Sequence, residues 1–133
     1  MSREIKFRIW DKVCDRFFNN DYNYPVIITN DGKIGILVDD LNFEEFKKDD
    51  LENIIISEYT GLYDKKGKEI YEGDIVKLRA NHGIGVIKYS DEWGAFVVEY
   101  IKPRPLVVLG MNYYKEDIEV LGNIYKNPEL LGE

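Results

Sequence analysis

The chain has 133 residues, of which 44% are hydrophobic, 14% aromatic (ten of them Tyr) and 32% charged, a composition that suits one globular domain with a sizeable core and excludes a disordered polar chain. The formal net charge of −7 argues against a dominant phosphate-binding surface, because nucleic-acid domains carry a basic footprint. Cys14 is the one cysteine, so no intrachain disulfide is expected; no apolar leader follows "MSREIKFRIWDK" and no apolar run is long enough for a bilayer, so the expected setting is cytoplasmic, without a membrane segment.

"REIKFRIWD" alternates, which predicts a half-buried strand with Ile5, Phe7 and Ile9 on one face and Lys6, Arg8 and Trp10 on the other. "DRFFN" is expected to pair back as a short strand. Val26-Ile27-Ile28 and Ile34 to Val38 flank Asn30-Asp31-Gly32, a strong hairpin signal because these residues tolerate positive φ. Next comes an expected short helical insert. Asn42 is placed to cap it, and Phe43, Phe46 and Leu51 share a helical face. The insert is acidic: Asp39, Asp40, Glu44, Glu45, Asp49, Asp50 and Glu52 stand against Lys47 and Lys48, which accounts for −5 of the net −7. Ile54 to Tyr59 reads as a strand again.

"YTGLYDKKGKEIYEGDIVKLRA", Tyr59 to Ala80, packs two turns into a short space. Asp64-Lys65-Lys66-Gly67 is one and Glu72-Gly73-Asp74 the other, and between them Lys68 to Tyr71 is extended. Tyr71 is expected to cover a barrel mouth with its hydroxyl in water. "IVKL", "IGVIKY", "AFVVEY", "LVVL" and "DIEVLGNIY" then give about five strands, the number a small partly open barrel needs. In the last of them Ile118, Val120, Gly122 and Ile124 are expected on one face, and Asn127-Pro128-Glu129 is expected to cap a closing turn. The fold class predicted is mainly β. It is one domain over residues 1–133, with N-terminal strands and the acidic insert in 1–58 and a barrel core in 59–133.

Catalytic chemistry is thinly represented. His82 stands alone beside Gly83 in a turn, and Cys14 has Arg16 and Asp15 as opposing neighbours. Glu69, Glu72 and Asp74 cluster, but at turn positions where backbone reasons suffice. One His and one Cys do not make a usual zinc site. Gly83-x-Gly85 lacks the helix and third glycine of a dinucleotide loop. We therefore expect no catalytic, cofactor or metal residues. Three candidate surfaces remain. Tyr63, Lys65, Lys66, Lys68 and Tyr71 form a basic–aromatic cluster suited to stacking bases. Asp39, Asp40, Glu44, Glu45, Asp49 and Asp50 form an acidic face for docking a basic partner. Val108, Tyr113 and Tyr114, in the apolar "PLVVLGMNYY" stretch, are the expected contact of a homo-oligomer.

The blocks "REIKFRIWD", "YTGLYDKKGKEIYEGDIVK" and "EVLGNIYKNPELL", in that order, resemble the YopX-like proteins of phages and prophages. The resemblance brackets nearly the whole chain, though Lys12 to Glu58 carries no family pattern. It implies an SH3-like β-barrel core, a phage-encoded protein and a bacterial cytoplasm, and it brings no catalytic or cofactor residues. Two functions follow as expectations. The first is a non-enzymatic accessory protein that binds a host protein. The alternative is a small barrel that binds single-stranded nucleic acid or a nucleotide.

Overall fold

In the computed structural model, residues 5–18, 24–78, 83–101, 107–109 and 115–132 are described. The chain divides into two compact units, one of Lys6–Ser57 and the other of Met1–Ile5 together with Glu58–Glu133. Both are built mainly from antiparallel strands.

In the first unit, β1 (Phe7–Asp11) pairs with β2 (Arg16–Phe17), with Trp10 opposite Phe17. The turn between them forms because the Asp11 carboxylate accepts the amides of Val13 and Cys14. The alternation read from the sequence does not produce a half-buried strand. Arg8, Ile9 and Trp10 are all buried, and Ile5 is 66% exposed. The physical reason is the company the "outer" residues keep. The Arg8 guanidinium lies 4.7 Å from the centre of the Phe17 ring, and Trp10 meets the same ring edge-on at 4.8 Å. A cation over an aromatic face, and two rings at an angle, are favourable buried arrangements.

β3 (Val26–Ile28) and β4 (Ile34–Asp39) form the expected hairpin around Asn30-Asp31-Gly32. A third strand, β5 (Asn42–Glu45), then pairs with β4 where a helix start was expected. Asp39 decides this. One of its carboxylate oxygens accepts the amides of Leu41 and Asn42 and the Asn42 side-chain amide, which turns the chain back on itself. Asn42 therefore serves the turn rather than a helix, and Phe43 lies opposite Leu37. Helix α1 is a single turn, Lys48–Leu51, with no buried residue; Asp50 accepts the Lys47 amide at 2.9 Å. Only Asp49 and Asp50 of the acidic set lie in it. β6 (Ile54–Tyr63) begins in this unit and continues into the next.

In the second unit, β6 pairs with β7 (Glu69–Tyr71). Register slips between the Tyr59–Tyr71 and Tyr63–Glu69 pairs, and Thr60 stitches the bulge by donating from its hydroxyl to the Ile70 carbonyl at 2.8 Å. β8 (Asp74–Leu78), β9 (Ile84–Ser90), β10 (Ala95–Tyr100), β11 (Val107–Val108) and β12 (Ile118–Asn123) form a five-stranded sheet in the order β11-β10-β9-β8-β12. Its core holds Ile70, Val76, Leu78, Ile87, Val98 and Ile118, with Phe96, Tyr100 and Leu109 at the margin. The expected single apolar face on β12 is interrupted. A bulge between Val120 and Gly122 turns the strand over, so Asn123 is buried. The closing segment is a 3-10 turn, Pro128–Leu131, and Asn127 does not cap it through its side chain. The Asn127 side-chain oxygen instead accepts the Asn123 amide at 3.2 Å and covers Gly122, where a Cβ would collide with it.

Candidate functional site

The Tyr59–Leu78 stretch is built around two buried carboxylates. Asp64 is 2% exposed. Its Oδ1 accepts the amides of Lys66 and Lys68, and its Oδ2 accepts the Val120 amide, each at 2.9 Å. The Lys65 amide donates to the Ile118 carbonyl at 2.9 Å. A turn residue thus holds a strand 56 positions along the chain. Burial alone would raise the Asp64 carboxyl, but the amides of Val120, Lys68 and Lys66, with the Lys68 charge, outweigh it and hold its pKa below the usual carboxylate range. Asp74 is equally buried and accepts the Tyr71 amide at 2.8 Å. Between them Gly73 adopts φ 89° with the Tyr125 ring 3.0 Å from where a Cβ would stand, so only glycine fits.

This arrangement places the basic–aromatic candidates. The Lys65 and Lys66 ammonium groups reach the Glu119 carboxylate at 3.3 and 2.9 Å. Hydrogen bonds from Lys66 and then Lys65 lower the Glu119 pKa, and the same contact raises that of Lys66. Lys68 is exposed near Asp64. Tyr71 is buried and donates its hydroxyl to Glu69 at 3.1 Å, so the hydroxyl expected in water has a protein partner. Its ring and that of Tyr63 both lie against Tyr59, at 5.5 and 6.1 Å. The cluster is therefore brought together, with two of its three cations sharing the single negative charge of Glu119.

The acidic candidates are spread over several elements. Asp39 holds the β4–β5 turn, and hydrogen bonds from the Asn42 side chain and then the Leu41 amide lower its pKa. Asp40 and Glu44 are exposed, Glu45 pairs with Lys47 at 3.3 Å, and Asp49 and Asp50 sit in α1. Cys14 is exposed. Val108 is half-buried in β11. His82, Tyr113 and Tyr114 lie outside the described residues. Among the described residues no three His, Cys, Asp or Glu side chains converge as metal ligands, and no helix is long and apolar enough to cross a membrane.

A concave site that the sequence does not announce lies in the second unit. A groove of about 420 Å³ is lined by Glu58, Thr60 and Leu62 of β6, Tyr89 of β9, Gly94, Ala95 and Phe96 at the start of β10, and Leu109. Tyr89 is 46% exposed and meets Phe96 edge-on at 5.3 Å. Trp93, next to Gly94, is 63% exposed. Glu58 is the charged residue among the described lining residues.

The sequence profile of the family described as YopX protein matches residues 6–132. The chain belongs to the YopX family. Two solved structures show the same likeness. Protein EF1440 from Enterococcus faecalis is 26% identical, with a TM-score of 0.62 over 98% of this chain and 99% of that one. Protein yopX from Bacillus subtilis is 25% identical, with a TM-score of 0.64 over 93% of this chain and 95% of that one. No curated protein matches the chain.

In this YopX-family chain, the block that carries the resemblance serves the backbone. Asp64, Gly73 and Asp74 shape turns, and Tyr59 and Tyr71 are packed. The groove was missed because its residues come from segments far apart in sequence. Tyr89 and Trp93, in "YSDEWG", are its local signal, and the turn between β9 and β10 accounts for that stretch equally well.

Proposed function

We propose that this YopX-family chain is a non-enzymatic phage or prophage accessory protein that works by binding a host protein in the bacterial cytoplasm. The observation that carries this reading is the groove between β6 and the β9–β10 hairpin. It offers aromatic faces and a carboxylate, which is recognition chemistry rather than a paired acid and base. The engagement of Lys65 and Lys66 by Glu119, together with the net charge of −7, favours a protein partner over single-stranded nucleic acid or a nucleotide. We read the second unit as an SH3-like small barrel. The order β11-β10-β9-β8-β12 and the placing of Ile70 of β7 in the same core support that architecture.

The test combines co-purification from host lysate with a mobility-shift assay at low salt. A host protein retained at constant stoichiometry, with no shift of a single-stranded oligonucleotide, is the expected result. An oligonucleotide shift without a retained protein would replace this reading with the nucleic-acid one.

We also propose that the chain self-associates, most simply as a two-fold dimer. Among the described residues β11 is the end strand of its sheet, and end strands are where a second copy can add to a sheet. Light scattering at micromolar concentration should give twice the monomer mass of 15.6 kDa. A monomer mass throughout rejects the dimer. A dimer that survives Val108→Asp, Tyr113→Asp and Tyr114→Asp places the contact elsewhere.

A further inference from the structure

We propose that Asp31 is a site of spontaneous covalent modification. The backbone amide of Gly32 closes on the Asp31 carboxyl with help from the Thr29 hydroxyl, and the chain reopens there as isoaspartate. The inference is independent of what the protein binds.

The argument starts from the sequence. An aspartate can close a ring onto the next residue's amide where that residue's side chain leaves room, and glycine leaves the most. Asp31 is the one Asp or Asn of the chain that is followed by glycine. The structure then opens the position. The Asp31 side chain is 62% exposed at the tip of the β3–β4 hairpin, and a Cβ placed on Gly32 would meet nothing within 4 Å. The Gly32 amide donates to the Thr29 carbonyl at 3.0 Å, a bond in an exposed turn that water replaces at little cost. The carboxyl, in turn, is held for attack. Thr29 Oγ1 donates to Asp31 Oδ1, and the Lys33 ammonium lies 4.0 Å from Asp31 Oδ2. The same hydroxyl accepts the Lys33 amide at 2.9 Å, which fixes it over the turn. A donor and a cation thus stand where negative charge develops on the carboxyl oxygens as the ring closes. Asp39, Asp64 and Asp74 also hold turns, yet each is followed by a residue with a side chain, and Asp64 and Asp74 are buried.

The chemistry balances with water alone. The Gly32 nitrogen bonds to Cγ of the protonated Asp31 carboxyl, and the carboxyl hydroxyl leaves with the amide proton as water. The product is a cyclic imide. Water then adds to one of its two carbonyls. Breaking the Cγ–N bond restores aspartate; breaking the bond from the main-chain carbonyl carbon to nitrogen leaves the backbone running through Cβ and Cγ. Mass and charge are unchanged, and the turn is longer by one methylene. Hairpin register depends on loop length. The bond from the Thr29 amide to the Lys33 carbonyl, 2.9 Å in the original turn, must then span a lengthened loop. Because β4 lies between β3 and β5, the change reaches the whole three-stranded sheet.

The full chain is stored for weeks in mildly acidic buffer at physiological temperature. Samples are then labelled by an isoaspartate-specific methyltransferase with radioactive S-adenosylmethionine and digested with trypsin. Label should accumulate with time in the peptide that ends at Lys33, without a change in its mass, and electron-driven fragmentation should place the modified residue at Asp31. The isomerised fraction should unfold at a lower urea concentration than fresh protein. Gly32→Ala should slow labelling by about tenfold or more, because the methyl hinders ring closure. The open space around Gly32 has room for that methyl, and the urea midpoint shows whether each variant is folded. Thr29→Val, which keeps the branched shape and removes the hydroxyl, should slow labelling by about twofold to tenfold. The time course on the unaltered chain needs no variant at all. No label after weeks, label confined to other residues, or a gain in mass that marks deamidation of an asparagine overturns the proposal. So does an unchanged rate in folded Gly32→Ala or in folded Thr29→Val.

Discussion

Replacing Asp64 with alanine should destabilise the second unit by about 2–4 kcal/mol at neutral pH, and most of that penalty should vanish in acid. The carboxylate serves three amides, those of Lys66, Lys68 and Val120. Hydrogen bonds to a charged acceptor contribute about 1.5–3 kcal/mol each, but they are not lost equally. Lys66 and Lys68 are exposed, so water replaces the lost oxygen there. The Val120 amide belongs to a half-buried strand residue, and the loss falls mainly on it. The pH dependence has a definite sign. The folded-state pKa of Asp64 is lowered, so its stabilisation is fully present above the unfolded value of about 3.9 and disappears as pH falls through the folded value. Urea unfolding of the unaltered chain and of Asp64→Ala at pH 7, and again well below about pH 4, checks both parts. A difference in midpoint that is equal at the two pH values would mean that the carboxylate is not what holds β12.

Ile70→Ala should cost about 2–5 kcal/mol, more than Val76→Ala at about 1–3 kcal/mol. Both side chains are fully buried. Val76 lies on β8, inside the five-stranded sheet, whereas Ile70 comes from β7, which pairs with β6. Ile70 nonetheless belongs to the same core cluster as Val76, Leu78 and Ile87. Removing it takes away more methylene groups and leaves a larger void than removing the methyls of a valine. Ile70→Val should recover most of the loss, leaving about 0.5–1.5 kcal/mol. If denaturant midpoints rank Val76→Ala as the more damaging, β7 is not part of the core that closes this unit.

The strands from Ile54 onward are legible as β-branched or aromatic runs between turn residues, although β6 runs on to Tyr63 where the sequence suggests an end at Tyr59. Asn30-Asp31-Gly32, Asp64 to Gly67 and Glu72-Gly73-Asp74 all turn the chain where they stand, and only the further bond from Val120 to Asp64 is distant. Three features were not legible, for the same reason: each depends on a partner distant in sequence or on a competing local bond. Arg8 reads as a solvent residue until Phe17 is placed beneath it. Asn42 suits a helix cap until Asp39 takes its amides. The face of β12 follows the alternation until the bulge before Gly122 reverses it. The groove belongs to this group as well. Glu58, Tyr89 and Leu109 carry no shared pattern, and only the pairing of β9 with β10 and the course of β6 bring them together.

The position of β12 sets an order of events during synthesis. Its Ile118 carbonyl and Val120 amide are held by Lys65 and Asp64, and its inner side pairs with β8. None of these bonds can form until residues 118–123 have left the ribosome, although β8 is made some forty positions earlier. A nascent chain, or one cut short before Ile118, presents the nearly all-buried strand Asp74–Leu78 as an open edge and Asp64 without its distant amide. Copies interrupted before Ile118 should therefore be cut by protease faster than copies that include β12, because the β8 edge and its neighbouring turn stay open in them.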